Sequence, residues 1–324
     1  MNKITPNNAQ VSNSWDTYWQ GTSDVDAFNS GGVSHPAIRA FWLAFFNGAK
    51  QRFNTSKILD IASGNGAVLE CALDAFEQIP TDLTSLDISE AAIKNIHTRF
   101  PSVKGIVSSA SSIPVESASF DIVTSQYGIE YAGYDAILEA ARLVADQGQL
   151  ALLMHCESGH IHLECQQSLD AIERTQKSDF VQLATDMFEA GFKSVRGADR
   201  QPYEQAAKKM APAINQLEEI MREYGANVAG DTICRLYNDV DQIHQKIQHY
   251  EPTDVLIWLN KMGGELEAYA QRMSSMSASV ITGTQFDQLK DDLQKRGFTL
   301  DIADKLFVPG NEMPMAWVLV ATKK

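Results

Sequence analysis

The sequence is short of basic residues. It contains 27 lysines and arginines against 41 aspartates and glutamates, which gives a net charge of −14 over 324 residues. General affinity for nucleic acid or for an anionic membrane depends on clustered lysine and arginine, and no basic block occurs in the chain. We therefore expect neither nucleic acid nor membrane among its partners.

Cysteines and long hydrophobic runs are also scarce. The four cysteines are too few and too scattered for a disulfide framework in a chain of this length. No apolar stretch approaches the roughly 20 residues that span a bilayer, and the polar first twenty residues do not resemble a signal peptide. These absences predict a cytoplasmic protein.

Short apolar runs alternate with amphipathic helical patterns over residues 57–158. The predicted strands are Lys57–Ile61, Leu83–Ile88, Val103–Val107, Phe120–Thr124 and Gln149–His155. Strand and helix alternating at this spacing indicate a parallel sheet covered on both faces.

The pattern changes on either side of this region. Residues 1–56 form an N-terminal arm with a helix near Pro36, and residues 159–280 carry apolar side chains only at helical spacing, enough for about four helices. Residues 281–324 return to a helix followed by two strands. The prediction is a doubly wound, mostly parallel seven-stranded α/β sheet, built from residues 57–158 and 281–324. An all-helical insertion follows its fifth strand, serving as a cap over the substrate or as a homodimer surface.

The strongest local motif is the segment Ile58–Ala67, in which a strand ends in a glycine-rich turn before a helix. Gly64 and Gly66 lack a Cβ, so the backbone can approach a ligand closely and adopt positive φ. Asp87 ends the next strand, where a carboxylate can accept both hydroxyls of a ribose. The combination predicts a nucleoside-binding site at the carboxyl ends of the strands.

The alternative nucleoside ligand is NAD, which would make the protein an oxidoreductase. Its motif requires a third glycine at position 69, where this chain has a leucine. Asp60, just before the turn, also suits a ligand with an ammonium group better than one with a pyrophosphate. Both observations disfavour NAD.

The segment Ile58–Ala67 resembles the first motif of class I S-adenosylmethionine-dependent methyltransferases, and Asp87 resembles the acidic end of their second motif. The stretches Ser108–Val115 and Ser119–Val123 resemble the loop and fourth strand of the small-molecule branch of that family. The resemblance implies S-adenosylmethionine as cofactor and a small molecule as methyl acceptor. A noncatalytic protein that binds S-adenosylmethionine on the same fold stays open as the alternative.

The resemblance also implies roles for individual residues along the cofactor. The methionine end is assigned to Asp60, Ala62, Gly64 and Gly66, the ribose to Asp87 and Ile88, the adenine to Ser109 and Ala110, and the sulfonium to Gln126 and Tyr127. The chain departs from the family pattern at Ala62, which replaces the first glycine, and at Ser109, which replaces the usual aspartate. A serine hydroxyl can accept the same hydrogen bond but carries no charge.

Candidate catalytic residues follow the fourth and fifth predicted strands. They are His155, Tyr127 and Glu130, and a general base is needed only if the acceptor must lose a proton. The run from His155 to Cys165 holds three histidines and two cysteines, all of which can bind zinc. Their spacing fits no paired zinc motif, so we expect no metal there.

Overall fold

The computed structural model describes residues 15–20, 35–53, 56–77, 80–308, 310 and 312–324. The strands are β1 (Ser56–Ile61), β2 (Thr81–Asp87), β3 (Lys104–Val107), β4 (Phe120–Gln126), β5 (Val144–Met154), β6 (Phe298–Leu306) and β7 (Ala316–Lys323). They form one sheet in the order β3-β2-β1-β4-β5-β7-β6. The predicted seven-stranded α/β sheet is confirmed, and the last two strands join it beside β5.

The sheet is mixed rather than purely parallel. Strands β1 to β5 pair in parallel, whereas β7 is antiparallel to both of its neighbours, β5 and β6. A short loop joins β6 to β7, and a short connection can only produce an antiparallel pair. The carboxyl ends of β1 to β5 therefore meet at one edge of the sheet.

Helices account for most of the remaining described residues. Residues 15–20 are helical, and the labelled helices are α1 (Pro36–Ala49), α2 (Ala67–Ala75), α3 (Glu90–Arg99), α4 (Tyr134–Leu143), α5 (His160–Lys177), α6 (Phe180–Val195), α7 (Gln201–Tyr224), α8 (Thr232–Gln245), α9 (Pro252–Ala278) and α10 (Gly283–Lys295). None of the described helices has the length and apolar character needed to cross a membrane.

The chain divides into two compact units. One comprises residues 1–163 and 275–324, and the other comprises residues 164–274. The division lies inside the predicted insertion of residues 159–280. Residues 159–280, all of which are described, contain five labelled helices, one more than apolar spacing indicates. They contain no β-strand. The insertion's role as cap or dimer surface stays a prediction.

Each unit has its own hydrophobic core. In the α/β unit, consecutive residues Ile58 and Leu59 of β1 are both fully buried. Successive strand residues face opposite sides of a sheet, so both faces are covered here. On one face, Leu59 packs in a cluster with Ala140 of α4 and Leu289 of α10. The helical unit buries a separate cluster, which includes Phe188 of α6.

Candidate functional site

The turn after β1 is tight and partly left-handed. Ala62, Gly64 and Gly66 have φ values of 55°, 51° and 86°, and Gly66 is the N-cap of α2. The Ser63 hydroxyl donates to the carbonyl of Asp60 at 2.7 Å, and the Gly66 N–H donates to the carbonyl of Ser63 at 2.8 Å. These bonds fix the turn at the carboxyl edge of the sheet, where ligands bind in folds of this type.

Asp87 connects this turn to the end of β2. Its Oδ2 accepts a hydrogen bond from the Gly64 N–H, and its Oδ1 accepts one from the Ser89 N–H, both at 2.9 Å. Burial raises the pKa of Asp87 to about 6, although these backbone bonds favour the charged form. Each carboxylate oxygen can accept a second hydrogen bond, so the residue retains capacity for ribose hydroxyls.

Asp60 lies at the end of β1 and is also buried. Its Oδ1 accepts a hydrogen bond from the Thr124 hydroxyl at 2.8 Å. Burial raises its pKa to about 7, and the negative charge of Asp87 adds a smaller effect in the same direction. Neither aspartate forms an ion pair with a described residue. Two buried acids without a cationic partner fit a positively charged ligand.

The residues assigned to the adenine and ribose follow β2 and β3. Ile88 is half-buried, Ala110 is buried, and Ser109 is half-buried at the loop after β3. The Ser109 hydroxyl lies 2.9 Å from the hydroxyl of Ser111 and also accepts the Ser111 N–H at 3.3 Å. Since β3 is next to β2 in the sheet, these residues lie on the Asp87 side of the glycine-rich turn.

Gln126 and Tyr127 end β4 and begin the next turn. The Gln126 side-chain oxygen accepts a hydrogen bond from the indole N–H of Trp42, at 2.5 Å. Tyr127 has a φ of 50° and donates its hydroxyl to the carbonyl of Met315 at 3.3 Å. Both side chains are thus already held by the fold, which fixes the backbone where β4 ends.

Glu130 and His155 pack together at the ends of β4 and β5. Glu130 lies in a 3₁₀ turn, Ile129–Ala132, and its Oε1 accepts the backbone N–H of His155 at 2.8 Å. Its Oε2 is buried and has no hydrogen-bond partner among the described residues. Burial raises the pKa of Glu130 to about 7, against the opposite effect of nearby backbone N–H groups.

The His155 ring is enclosed by aromatic side chains. It stacks on Tyr127, with ring centroids 4.6 Å apart, and its Nε2 lies 2.8 Å from the hydroxyl of Tyr131. Burial lowers the pKa of His155 to about 3, and the nearby His162 contributes in the same direction. The imidazole is therefore neutral at physiological pH.

Helical residues 15–20 contact the loops after β1, β2 and β4. A Cβ on Gly64 would lie 2.6 Å from the ring of Trp19. Asp16 accepts hydrogen bonds from the Ser89 hydroxyl and from the Ala91 N–H at the start of α3. The ring of Trp15 meets that of Tyr131 edge to face, with centroids 5.7 Å apart. This segment covers the edge of the sheet that carries the predicted site.

The sequence interpretation missed two residues that organise this edge. Asp16 caps α3 from more than seventy residues away, and Asn95 donates both to the carbonyl of Trp19 at 2.8 Å and to the side chain of Asn65 at 2.9 Å. Capping signals are local in sequence, so neither contact could be recognised. The only available indication was the density of aromatic residues around Asp16.

The structure brings most of the predicted site residues to one edge of the α/β unit. Asp60, Ala62, Gly64, Gly66 and Asp87 adjoin one another, and Tyr127, Glu130 and His155 form a second group at the ends of β4 and β5. Within the described residues, no three histidine, cysteine, aspartate or glutamate side chains converge as a metal site.

Part of this chain is similar to known methyltransferases. The family profile described as a methyltransferase domain matches residues 59–152. The ubiquinone/menaquinone biosynthesis C-methyltransferase UbiE of Campylobacter jejuni is 31% identical over 102 residues, which are 30% of this chain and 43% of that protein. The chain thus matches less than half the length of this curated relative.

Two solved structures with partial similarity to this chain come from methyltransferases. A putative methyltransferase in complex with the Haloferax volcanii activator Trm112 is 18% identical with a TM-score of 0.35, over 49% of this chain and 65% of that chain. Geranyl diphosphate C-methyltransferase from Streptomyces coelicolor is 12% identical with a TM-score of 0.35, over 47% and 66%. The latter was solved with Mg²⁺, geranyl diphosphate and S-adenosyl-L-homocysteine.

The family profile spans β1 to β5, the strands whose ends carry both groups of site residues. It includes the glycine-rich turn, Asp87 and Glu130. Over residues 59–152, this chain is therefore similar to methyltransferase domains.

Proposed function

We propose that the protein transfers a methyl group to a small-molecule acceptor. S-adenosylmethionine supplies, when bound, an electrophilic methyl group on a positively charged sulfur. Asp87 would hold the ribose and Asp60 would attract the ammonium group. Ser109 and Ala110 would contact the adenine, and the turn from Ala62 to Gly66 would contact the methionine moiety.

Buried Glu130 is the observation that supports an enzyme over a noncatalytic binding protein. Leaving a buried carboxylate oxygen without a hydrogen-bond partner is unfavourable by roughly 1–3 kcal/mol or more. Ribose, adenine and methionine are accounted for by residues around β1, β2 and β3, so cofactor binding alone does not require Glu130. A buried carboxylate oxygen without a partner fits a group that accepts a proton or a hydrogen bond from the methyl acceptor.

Glu130 is a better proton acceptor than His155. An efficient general base has a pKa close to the working pH, and that of Glu130 is raised to about 7. The pKa of His155 is lowered to about 3, so its imidazole binds a proton weakly. We therefore assign His155 and Tyr127 the role of positioning Glu130, through the His155 N–H and the stacked rings.

The proton balance is simple for an acceptor that carries a hydrogen on the atom to be methylated. The bound cofactor would supply the methyl group for the acceptor atom, and its sulfur would keep the electron pair of the carbon–sulfur bond. The proton leaves the acceptor for the Glu130 carboxylate, which then returns it to solvent. The low polarity around Glu130 favours the neutral acid, so the transfer removes an unfavourable buried charge.

A small-molecule acceptor is supported by two observations. The net charge of −14 disfavours a nucleic-acid substrate. The curated relative UbiE is named for a step in the biosynthesis of ubiquinone and menaquinone, which are small molecules.

The test is formation of S-adenosylhomocysteine from S-adenosylmethionine with a cell extract separated by size. The low-molecular-weight fraction should support turnover, and Glu130→Gln should slow it about 100-fold or more with little change in cofactor affinity. Glu157→Gln, at an exposed position close to His155, is the control and should keep full activity. Turnover only with macromolecules, or tight cofactor binding without turnover in any fraction, contradicts the proposal.

A further inference from the structure

This inference rests on the proposed function. The order of the strands in the sheet places the residues assigned to the cofactor apart from those assigned to the acceptor. Residues assigned to adenine, ribose and methionine follow β3, β2 and β1, which are neighbours in the sheet. The next strands in that order are β4 and β5. Glu130 and His155, which follow those two strands, therefore lie where an acceptor can approach the methyl group.

Four carboxylates occupy this edge of the α/β unit without a cationic partner among the described residues. Asp16, Asp60, Asp87 and Glu130 form no ion pair with another described residue. The nearby Arg99 is occupied by the carbonyl of Asn65 and by the carboxylate of Glu70, at 3.0 Å from the latter. The residues outside the described ranges include one basic residue, Lys3.

Burial raises the pKa of Asp60 and Glu130 to about 7 and that of Asp87 to about 6. These acids are therefore only partly charged near pH 7, and the cofactor offsets their remaining negative charge only in part. S-adenosylmethionine carries an ammonium and a sulfonium group but also a carboxylate, which leaves one net positive charge. A second anion at this edge would add to an existing excess of negative charge in a poorly hydrated site, where like charges repel strongly. The charge distribution therefore disfavours acceptors that place a carboxylate or phosphate beside Glu130.

The side chains around Glu130 suit a cation or a hydrogen-bond donor. Glu130 Oε2 has no hydrogen-bond partner among the described residues, and a carboxylate can only accept hydrogen bonds. Neutral His155 does not supply a compensating positive charge. Tyr131 follows Glu130 in the same 3₁₀ turn, and its ring meets that of Trp15 with centroids 5.7 Å apart. Aromatic faces attract organic cations.

We propose that the ends of β4 and β5 form a subsite for an amine acceptor, neutral or protonated, whose N–H donates to Glu130 Oε2. Tyr131 and Trp15 form the aromatic wall of this subsite. An amine nitrogen can lose its proton to Glu130 and then present a lone pair, which is what methyl transfer to nitrogen requires.

Three probes that share a phenol ring and differ in charge test this assignment. They are tyramine, a cation; 4-hydroxyphenethyl alcohol, which is neutral; and 4-hydroxyphenylacetate, an anion. Binding to protein saturated with S-adenosylhomocysteine is measured by calorimetry and by the shift in Tm. We expect tyramine to bind at least about tenfold more tightly than 4-hydroxyphenylacetate, the scale of a hydrogen bond to a charged group, with the alcohol in between.

Glu130→Gln should reduce this preference to about threefold or less, because the amide removes the charge but keeps the shape. Glu157→Gln is the matched control and should preserve the preference. Equal binding of cation and anion, failure of tyramine to bind, or an unchanged preference in Glu130→Gln overturns the proposal. Loss of S-adenosylhomocysteine binding itself would instead count against the proposed function, so the two failures are distinguishable.

Discussion

The methyl group of Ala62, in the turn after β1, occupies the space that a side chain on Gly128 would need in the turn after β4. A Cβ added to Gly128 would overlap the Cβ of Ala62, while the carbonyl oxygen and Cα of Ala62 would lie at 3.3 and 3.6 Å. Ala62 stands at the position of the family's first glycine and has a φ of 55°. The absence of a side chain at Gly128 thus makes room for the alanine.

This relationship predicts a strong coupling between the two positions. Gly128→Ala should destabilise the fold by about 1–3 kcal/mol through overpacking, whereas Ala62→Gly should be neutral or stabilise by up to about 1 kcal/mol because glycine adopts positive φ readily. The double variant should recover most of the loss. Urea unfolding of all four proteins gives the coupling energy, and strictly additive effects would contradict the contact.

The turn around Ala62 shows what sequence patterns can and cannot supply. The strand, the glycines and the spaced Asp87 form a local motif, so the site's place in the fold could be predicted. The steric link between Ala62 and Gly128 joins residues from separate loops and has no local signature. The same is true of Asp16 at the start of α3 and of Trp19 on Gly64.

The strand pattern predicted the sheet because buried strands form continuous apolar runs. It placed the start of β5 at Gln149, but the strand begins at Val144. The exposed polar residues Asp146 and Gln147 interrupt the apolar run there. In residues 159–280, apolar spacing indicated helices and no strands. Local spacing gives no information on how these helices function.

Stability should fall as pH rises through the pKa of Asp60. Burial raises this pKa from 3.8 to about 7, so the folded state holds a proton that the unfolded state has lost between about pH 4 and pH 7. Protonation therefore stabilises the fold at low pH, and the benefit disappears near pH 7. Asp60→Asn removes this dependence, because the amide is neutral at every pH.

Urea unfolding from pH 5 to pH 8 without cofactor checks this prediction. The free energy of unfolding of Asp60→Asn should increase relative to that of the natural protein as pH rises towards 7, by up to about 1.4 kcal/mol per pH unit. Asp82→Asn, at an exposed aspartate that pairs with Lys104, is the control outside the site. If the free energy of unfolding of Asp60→Asn, relative to the natural protein, stays constant or decreases as pH rises, the effect assigned to burial of Asp60 is contradicted.

Replacing Asp87 should weaken cofactor binding. Asp87→Asn keeps an oxygen that can accept the Ser89 N–H but loses the charge, and Asp87→Ala loses both. We expect affinity for S-adenosylhomocysteine to fall about 10- to 100-fold, as for the loss of a charge-assisted hydrogen bond. Calorimetry measures the change, with Asp82→Asn as the control. Unchanged affinity in both variants would remove Asp87 from the site.

The α/β unit should bind the cofactor without the helical unit. All residues assigned to the cofactor lie within residues 1–163 and 275–324. A variant in which a Gly/Ser linker replaces residues 164–274 should therefore retain S-adenosylhomocysteine affinity within about threefold, less than 1 kcal/mol. Circular dichroism verifies that the variant folds. Loss of affinity in a folded variant would show that the helical unit supplies cofactor contacts.

A crystal structure of the protein with S-adenosylhomocysteine tests the central assignment most directly. The ribose hydroxyls should lie within hydrogen-bond distance of Asp87, the adenine beside Ser109 and Ala110, and the sulfur on the side of β4 that leads to Glu130. A ligand bound elsewhere, or one whose ribose does not reach Asp87 and whose sulfur faces away from Glu130, would contradict the account.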